Sequence, residues 1–89
     1  MQITIEQTKI AMQALEGDEF ENLTYTPYGI AKLVNQLFAD NESDKQINPQ
    51  MMYNYARNGM IAGKASKGRK EYTAEEAAAF AIKYVSKHL

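Results

Sequence analysis

The chain has no cysteine and a single histidine, His88, among its 89 residues. The absence of thiols excludes a disulfide scaffold, a cysteine nucleophile and any cysteine-ligated zinc or iron–sulfur site. One imidazole also argues against a histidine-based metal site or a Ser/His/Asp triad. We therefore expect neither a metal nor a cofactor.

Long hydrophobic runs are missing as well. No apolar stretch approaches the roughly 18–20 residues needed to cross a bilayer, and no basic region precedes an apolar start. Hydrophobic residues make up 45% and charged residues 24% of the chain, which is typical of a globular domain. We expect one small soluble domain in the cytoplasm, with no membrane partner.

Signatures of catalysis are also scarce. No pair of carboxylates has a recognisable catalytic spacing, and the segment 63–70 lacks the pattern of a phosphate-binding loop. His88 lies near the end of a predicted helix, where it is more typical of a residue that complements the helix dipole than of a base. We therefore expect a binding module and not an enzyme.

Charge is unevenly divided along the chain. Residues 1–44 carry eight acids and two bases, whereas residues 45–89 carry three acids and eight bases. Five bases fall within the fourteen residues 57–70, which contain no acid. Such polarity indicates a face that meets a polyanion, although a solvated basic loop has the same composition.

Periodic apolar residues predict four helices, at 4–16, 26 to about 40, 48–58 and 73–87. Their starts carry two kinds of local signal. Capping boxes are formed by Thr4 with Gln7 and by Thr73 with Glu76. A capping residue followed by proline starts the second helix at 26–27 and the third at 48–49.

The first helix shows an amphipathic stripe whose members are predicted to face the core: Ile5, Thr8, Ala11, Met12 and Leu15. In the last helix, the apolar arc is wide for a small monomer. Two interpretations stay open for these surfaces of helices 4–16 and 74–88: they form the domain's own core, or they form a surface between two copies.

Helix 48–58 divides into two faces. Met52, Tyr55 and Ala56 are predicted core positions, with Met51 at the margin. The outer face groups four polar residues: Gln50, Tyr53, Asn54 and Arg57. Gln and Asn can pair with adenine edges, Arg with guanine, and Tyr can reach a phosphate or a thymine methyl, but an ordinary polar face has similar residues.

A cationic loop follows this helix. The apolar run 60–62 and the pair Glu71-Tyr72 flank a glycine-containing segment, 63–70, which predicts a short β-hairpin. Four bases of the segment are expected to neutralise phosphates: Lys64, Lys67, Arg69 and Lys70. Directly after a candidate recognition helix, such a hairpin has the position of a wing.

Three segments together carry a family resemblance. Residues 25–33 (YTPYGIAKL) resemble the opening of MerR-type winged helix-turn-helix domains, and residues 48–61 (NPQMMYNYARNGMI) resemble their recognition helix. Residues 70–76 (KEYTAEE) are similar to the segment after the family's wing. Phage and plasmid excisionases share this small fold.

The resemblance implies a mainly α, winged helix-turn-helix domain at 24–89, preceded by an N-terminal helix and acidic connector at 1–23. It implies double-stranded DNA as the partner, with helix 48–58 in the major groove and Gln50, Tyr53, Asn54 and Arg57 as base-reading candidates. The expected backbone contacts are Thr26, Tyr28, Asn48, Lys64, Lys67, Arg69 and Lys70.

Three departures from the family pattern shape the expectations. The connection 35–47 is longer than the family's turn, so the angle between the second and third helices is less constrained, although Leu37 and Phe38 suggest that the second helix continues. A chain ending at Leu89 leaves no room for the family's sensing domain, so no small-molecule effector is expected. Position 53, often Arg in the family, is Tyr.

Three roles are weighed. A small transcriptional regulator, nucleoid-associated and binding as a homodimer or cooperative array, ranks first, because one small module buries little surface on DNA. An excisionase-like architectural factor is the second DNA-binding role. A protein–protein adaptor built on the same fold is the competing class, and the sequence pI of 5.8 favours it.

Overall fold

The computed structural model describes residues 2–61 and 71–89. These residues form four α-helices, one 3₁₀ helix and two short strands. In chain order they are α1 (Ile5–Glu16), the 3₁₀ helix (Phe20–Asn22), β1 (Thr24–Tyr25), α2 (Pro27–Asp40), α3 (Pro49–Arg57), β2 (Tyr72–Thr73) and α4 (Ala74–His88). The mainly helical class with four helices is confirmed.

All four helix starts follow the predicted local chemistry. Both capping boxes are present, at Thr4 of α1 and at Thr73 of α4. Thr26 Oγ1 accepts a hydrogen bond from the N–H of Gly29, and Asn48 Oδ1 accepts one from the N–H of Met51. Because each cap satisfies an amide that has no partner inside the helix, the starts are determined locally.

The second helix is the centre of the core and packs against α1, α3 and α4. Its predicted apolar face is buried, with at most 1% exposure at each position: Ile30, Leu33, Val34, Leu37 and Phe38. Ala77 and Ala81 of α4 are fully buried, and their small side chains permit close approach of the helices. Burial of each large side chain contributes about 1.5–3 kcal/mol to folding.

The two strands pair with each other, a long-range pairing that local sequence patterns do not predict. Tyr72 lies opposite Tyr25 in an antiparallel register. Both tyrosine side chains are buried, so the pairing removes two aromatic rings from water. The hairpin predicted around 63–70 stays a prediction. The sheet holds the starts of α2 and α4 side by side. The predicted loop 63–70 lies outside the described residues.

One position in the predicted stripe of α1 is wrong. Thr8, Ala11 and Met12 are buried, but Ile5 is 53% exposed. The reason is Ile3, which lies ahead of the helix, is 2% exposed and takes the core place at this end; its N–H donates to Ser86 Oγ at 2.8 Å. The hydroxyl of Thr8 enters the core because it donates to the carbonyl oxygen of Thr4 at 2.9 Å.

The acidic connector after α1 is folded onto the core. Phe20 is buried, and the hydroxyl of Tyr25 donates to the carbonyl oxygen of Phe20 at 2.9 Å. Burial raises the pKa of Tyr25 above its ordinary value, and the negative charge of Glu16 raises it further. The neutral, donating form of the phenol therefore holds the connector against β1.

The end of α2 is marked by a left-handed residue. Glu42 has a φ of 59°, while the N–H of Ser43 donates to the carbonyl oxygen of Phe38 and the N–H of Glu42 to that of Ala39. These two bonds form the nested pattern of a Schellman motif, in which glycine is the usual left-handed residue. Glutamate at this position stores backbone strain.

Replacing that residue is expected to stabilise the protein. Glu42→Gly should raise the free energy of unfolding by about 0.5–1 kcal/mol, since the relief of left-handed strain exceeds the added entropy of the unfolded chain. Asp44→Gly is the matched control: it lies in the same exposed turn without a positive φ and should lower stability. Urea titration measures both, and equal effects of the two variants would contradict the assignment.

Candidate nucleic-acid interface

The third helix presents a polar face away from the core. Gln50, Tyr53 and Arg57 are exposed and Asn54 is half-buried. On the opposite side, Met52 and Ala56 are 0% and 2% exposed. We call the set Gln50, Tyr53, Asn54 and Arg57 the α3 outer face. These residues lie outside the core, where the periodicity put them; their base-reading role stays a prediction.

An aromatic cluster anchors the inner side of α3. The ring of Tyr55 lies 5.9 Å from that of Phe80 and 6.0 Å from that of Tyr84, both on α4. Tyr84 also meets Phe38 of α2 edge-on at 6.2 Å. Burial and the neighbouring Tyr55 raise the pKa of Tyr84. Rings from three helices thus fix the rotation of α3 about its axis.

A side-chain clamp orients the approach to α3, and no pattern in the sequence predicts it. Asn35 of α2 donates through Nδ2 to the carbonyl oxygen of Ile47 at 3.0 Å and accepts through Oδ1 from the N–H of Ile47 at 2.8 Å. Ile47 is 2% exposed. The long connection is therefore held at its far end, and α2 continues to Asp40, as Leu37 and Phe38 suggested.

Three side chains of the α3 outer face are joined by hydrogen bonds. Gln50 Nε2 donates to Asn54 Oδ1 at 3.4 Å, and Arg57 Nη2 donates to the same oxygen. The residues stand at i, i+4 and i+7, so the helical repeat places them on one side. The bonded set is an amide–guanidinium row that runs along the exposed surface of the helix.

This row carries positive charge that no described carboxylate neutralises. The third helix contains no acid. Within 2–61 and 71–89, the ion pairs join Lys9 with Glu21 at 3.8 Å and Lys32 with Glu16 at 3.5 Å, all in the acidic half of the chain. Arg57 therefore remains available to an anionic partner, whereas the two lysines of the acidic half are already beside glutamates.

Of the predicted DNA-backbone contacts near helix starts, some side chains already form hydrogen bonds within the protein. The side chains of Thr26 and Asn48 act as caps. Tyr28 is 54% exposed, and its ring lies 5.9 Å from the ammonium of Lys32. The first residue of α2 and of α3 is a proline, which has no N–H, and the cap accepts the N–H of the third residue. In the first turn of these helices, the N–H groups of Tyr28 and Gln50 therefore donate no hydrogen bond to the cap.

The remaining predicted backbone contacts, Lys64, Lys67, Arg69 and Lys70, lie outside the described residues. Over the described part of the chain, no helix combines the length and apolarity of a membrane span. The same residues contain no cluster of three or more potential metal ligands among Asp, Glu and His side chains.

Comparisons of the chain with protein-family models, with curated proteins and with solved structures find no match. The resemblance to MerR-type domains therefore rests on the residues of the three segments themselves. The α3 outer face is the strongest candidate site on the ground of its geometry and charge.

The clamp that precedes α3 yields a stability prediction. Asn35→Ala leaves the N–H and carbonyl of Ile47 without these partners in a part-buried site and should cost about 1–2 kcal/mol of folding free energy, partly offset by the helix preference of alanine. Gln36→Ala is the control, because its bond to Asp40 is exposed. Thermal unfolding compares them; a loss no larger than that of the control would rule out the clamp.

Proposed function

We propose that the protein binds double-stranded DNA as a small regulator of winged helix-turn-helix type. The observation that carries the proposal is the α3 outer face, an exposed amide–guanidinium row whose Arg57 forms no ion pair with a described carboxylate. The proposed wing is the segment 63–70, whose support is its sequence of glycines and bases directly after α3.

The dimensions of α3 suit insertion into a groove. Its nine residues span about 14 Å, and an α-helix fits the major groove of B-DNA. Arg57 and Gln50 then meet base edges, with Tyr53 at the rim. The bases of 63–70 meet phosphates beside the groove, which sets the register of the protein without reading sequence.

Charge polarity favours one orientation on the duplex. Residues 1–44 carry a balance of −6, so this part is repelled by phosphates, whereas residues 45–89 carry +5 and include α3. The acidic part therefore faces solvent in the complex. A transcriptional regulator and an excisionase-like architectural factor both use such a contact; bending of the bound duplex distinguishes the second.

A protein–protein adaptor is the alternative function. It is favoured by two exposed methionines that flank the α3 outer face, Met51 at 41% and Met60 at 60% exposure. Flexible thioethers suit apolar partner surfaces. Such binding would depend little on salt, in contrast to binding through phosphate contacts.

Fluorescence anisotropy on random and genomic duplexes tests the proposal. We expect binding tighter than about 100 µM at about 50 mM salt, with log K falling by about 0.9 per phosphate contact for each decade of salt. Substitution of Lys67, Arg69 and Lys70 by Ala should weaken binding to all sequences and flatten this slope. Lys83→Ala on α4 is the matched loss of one exposed cation and should change little.

Two results would contradict the proposal. If the wild-type protein shows no binding in this range, DNA binding is wrong. If affinity is independent of salt and the triple variant binds as well as Lys83→Ala, the cationic segment is not the phosphate contact.

We also propose that two copies associate through the side of α1. Most of the apolar surface of α1 and α4 belongs to the domain's own core, but Ile5 remains 53% exposed. Beside Ile5 lies a groove of about 420 Å³ between α1 and the first turns of α4. Its buried lining is apolar: Met12, Phe20, Ala74 and Ala78.

The rim of this groove fits a second copy in a two-fold arrangement. Lys9, Glu21 and Glu75 bring both signs of charge to one face. In a two-fold contact, a residue away from the axis meets a different residue of the other copy, so Lys9 can face Glu75 of the second copy while Ile5 enters its groove. A stable complex buries roughly 1,200 Å² or more of surface, and a contact centred on one exposed isoleucine and this groove is expected to be weaker.

Sedimentation equilibrium tests this association without DNA. The wild-type protein should dimerise in the micromolar to millimolar range, and Ile5→Ser should shift the midpoint at least tenfold higher. The side chain is more than half exposed, so the fold should persist. Replacement of exposed Leu23 by Ser is the control. A wild-type protein that stays monomeric at millimolar concentration would disprove the contact.

A further inference from the structure

We propose that Asn54 is a positioning residue that holds Arg57 over a guanine, and not a residue that reads adenine. The inference rests on the proposed DNA-binding function and specifies the base class that the α3 outer face selects. Its starting point is the double use of one atom, since Asn54 Oδ1 accepts hydrogen bonds from both Gln50 Nε2 and Arg57 Nη2.

Adenine recognition by an asparagine needs that same atom. In the bidentate pair, Oδ1 accepts from the adenine amino group while Nδ2 donates to N7. An amide oxygen has two lone pairs, and here Gln50 and Arg57 use both. Asn54 therefore keeps only its two Nδ2 donors for a base, which match acceptors and not the adenine amino group.

Arginine adds further donors beside them. The guanidinium of Arg57 has five N–H groups and no acceptor, and one Nη2 proton is committed to Asn54. The remaining donors are enough for the two acceptors of guanine, N7 and O6, which is the edge that arginine pairs with in the major groove. A row dominated by donors thus selects the acceptor-rich edge.

The bond to Asn54 also restricts where the guanidinium lies. An exposed arginine has many rotamers, and ordering it on binding costs conformational entropy. Asn54 is half-buried on α3, whose rotation is fixed by the Tyr55 ring contacts, so it is a defined support. Loss of Asn54 should consequently reduce guanine selection through Arg57, and not selection at a separate base pair.

The helix geometry places this guanine at one end of the footprint. Gln50 and Arg57 are seven residues apart, about 10.5 Å along the helix axis, which spans at most about three base-pair steps of the duplex. Arg57 stands in the last turn of α3. One strongly selected guanine should therefore lie within about three base pairs of the position that Gln50 faces.

Selection from randomised duplexes, followed by affinity measurement on single-base variants of the best site, tests the proposal. For the wild-type protein we expect one guanine whose replacement weakens binding about tenfold. Arg57→Ala should abolish this preference, and Asn54→Ala should reduce it to threefold or less. Asn54→Asp keeps an oxygen for Arg57 and should retain the preference while weakening binding to all sequences.

A different pattern of base preferences would contradict the proposal. If Asn54→Ala and Asn54→Asp both relax selection at an adenine and leave the guanine preference intact, Asn54 reads a base directly and the proposal is wrong. Gln50→Ala, which removes the weaker 3.4 Å bond, is the matched variant and should leave guanine selection within twofold of the wild type.

A measurement without DNA keeps the failure of this inference distinct from that of the proposed function. Nitrogen-15 relaxation of the Arg57 side chain should show greater mobility in Asn54→Ala than in the wild-type protein, and restored order in Asn54→Asp. Unchanged mobility in Asn54→Ala would overturn the positioning role whether or not the protein binds DNA. A wild-type protein that shows the restrained side chain but binds no duplex would instead overturn the proposed function.

Discussion

The paired hydrogen bonds between Asn35 and the backbone of Ile47 are the constraint on which the candidate interface depends. The third helix is short, and its own hydrogen bonds cannot hold it in place. The clamp fixes the chain just before the helix, and the ring of Tyr55 fixes its rotation against α4. Two independent contacts on the inner side thus determine which residues face outward.

The helices could be predicted because their signals are local. The features that were mispredicted or missed depend on contacts between residues that are distant in the sequence. The four caps act within four residues, so the starts at Thr4, Thr26, Asn48 and Thr73 could be read from the sequence. Ile5 was misplaced because periodicity within a helix carries no information about Ile3, which precedes it. The pairing of Tyr72 with Tyr25 was not predicted because it joins distant parts of the chain, about which local patterns carry no information.

The exposure of the α3 outer face could be predicted from the sequence, but the hydrogen bonds among its side chains could not. Met52 and Ala56 define the inner side of α3, so the exposure of Gln50 and Arg57 follows from the helical repeat. The double acceptance by Asn54 Oδ1 depends on the rotamers of three side chains, for which sequence spacing gives only proximity. To assign a base-reading role to Asn54, the hydrogen-bond partners that its side-chain atoms already have are therefore more informative than the residue type alone.

The two proposed contacts use different parts of the molecule, and this separation has a consequence for affinity. The groove beside Ile5 is lined by residues of α1, the 3₁₀ helix and α4, whereas the α3 outer face belongs to another helix. The proposed self-association and the proposed DNA contact therefore do not compete for the same residues. If both α3 helices of the proposed dimer meet one duplex, the second contact is intramolecular, which raises the overall affinity without any new contact. Thermodynamic reciprocity then requires that DNA favour the proposed self-association to the same degree that self-association favours DNA binding.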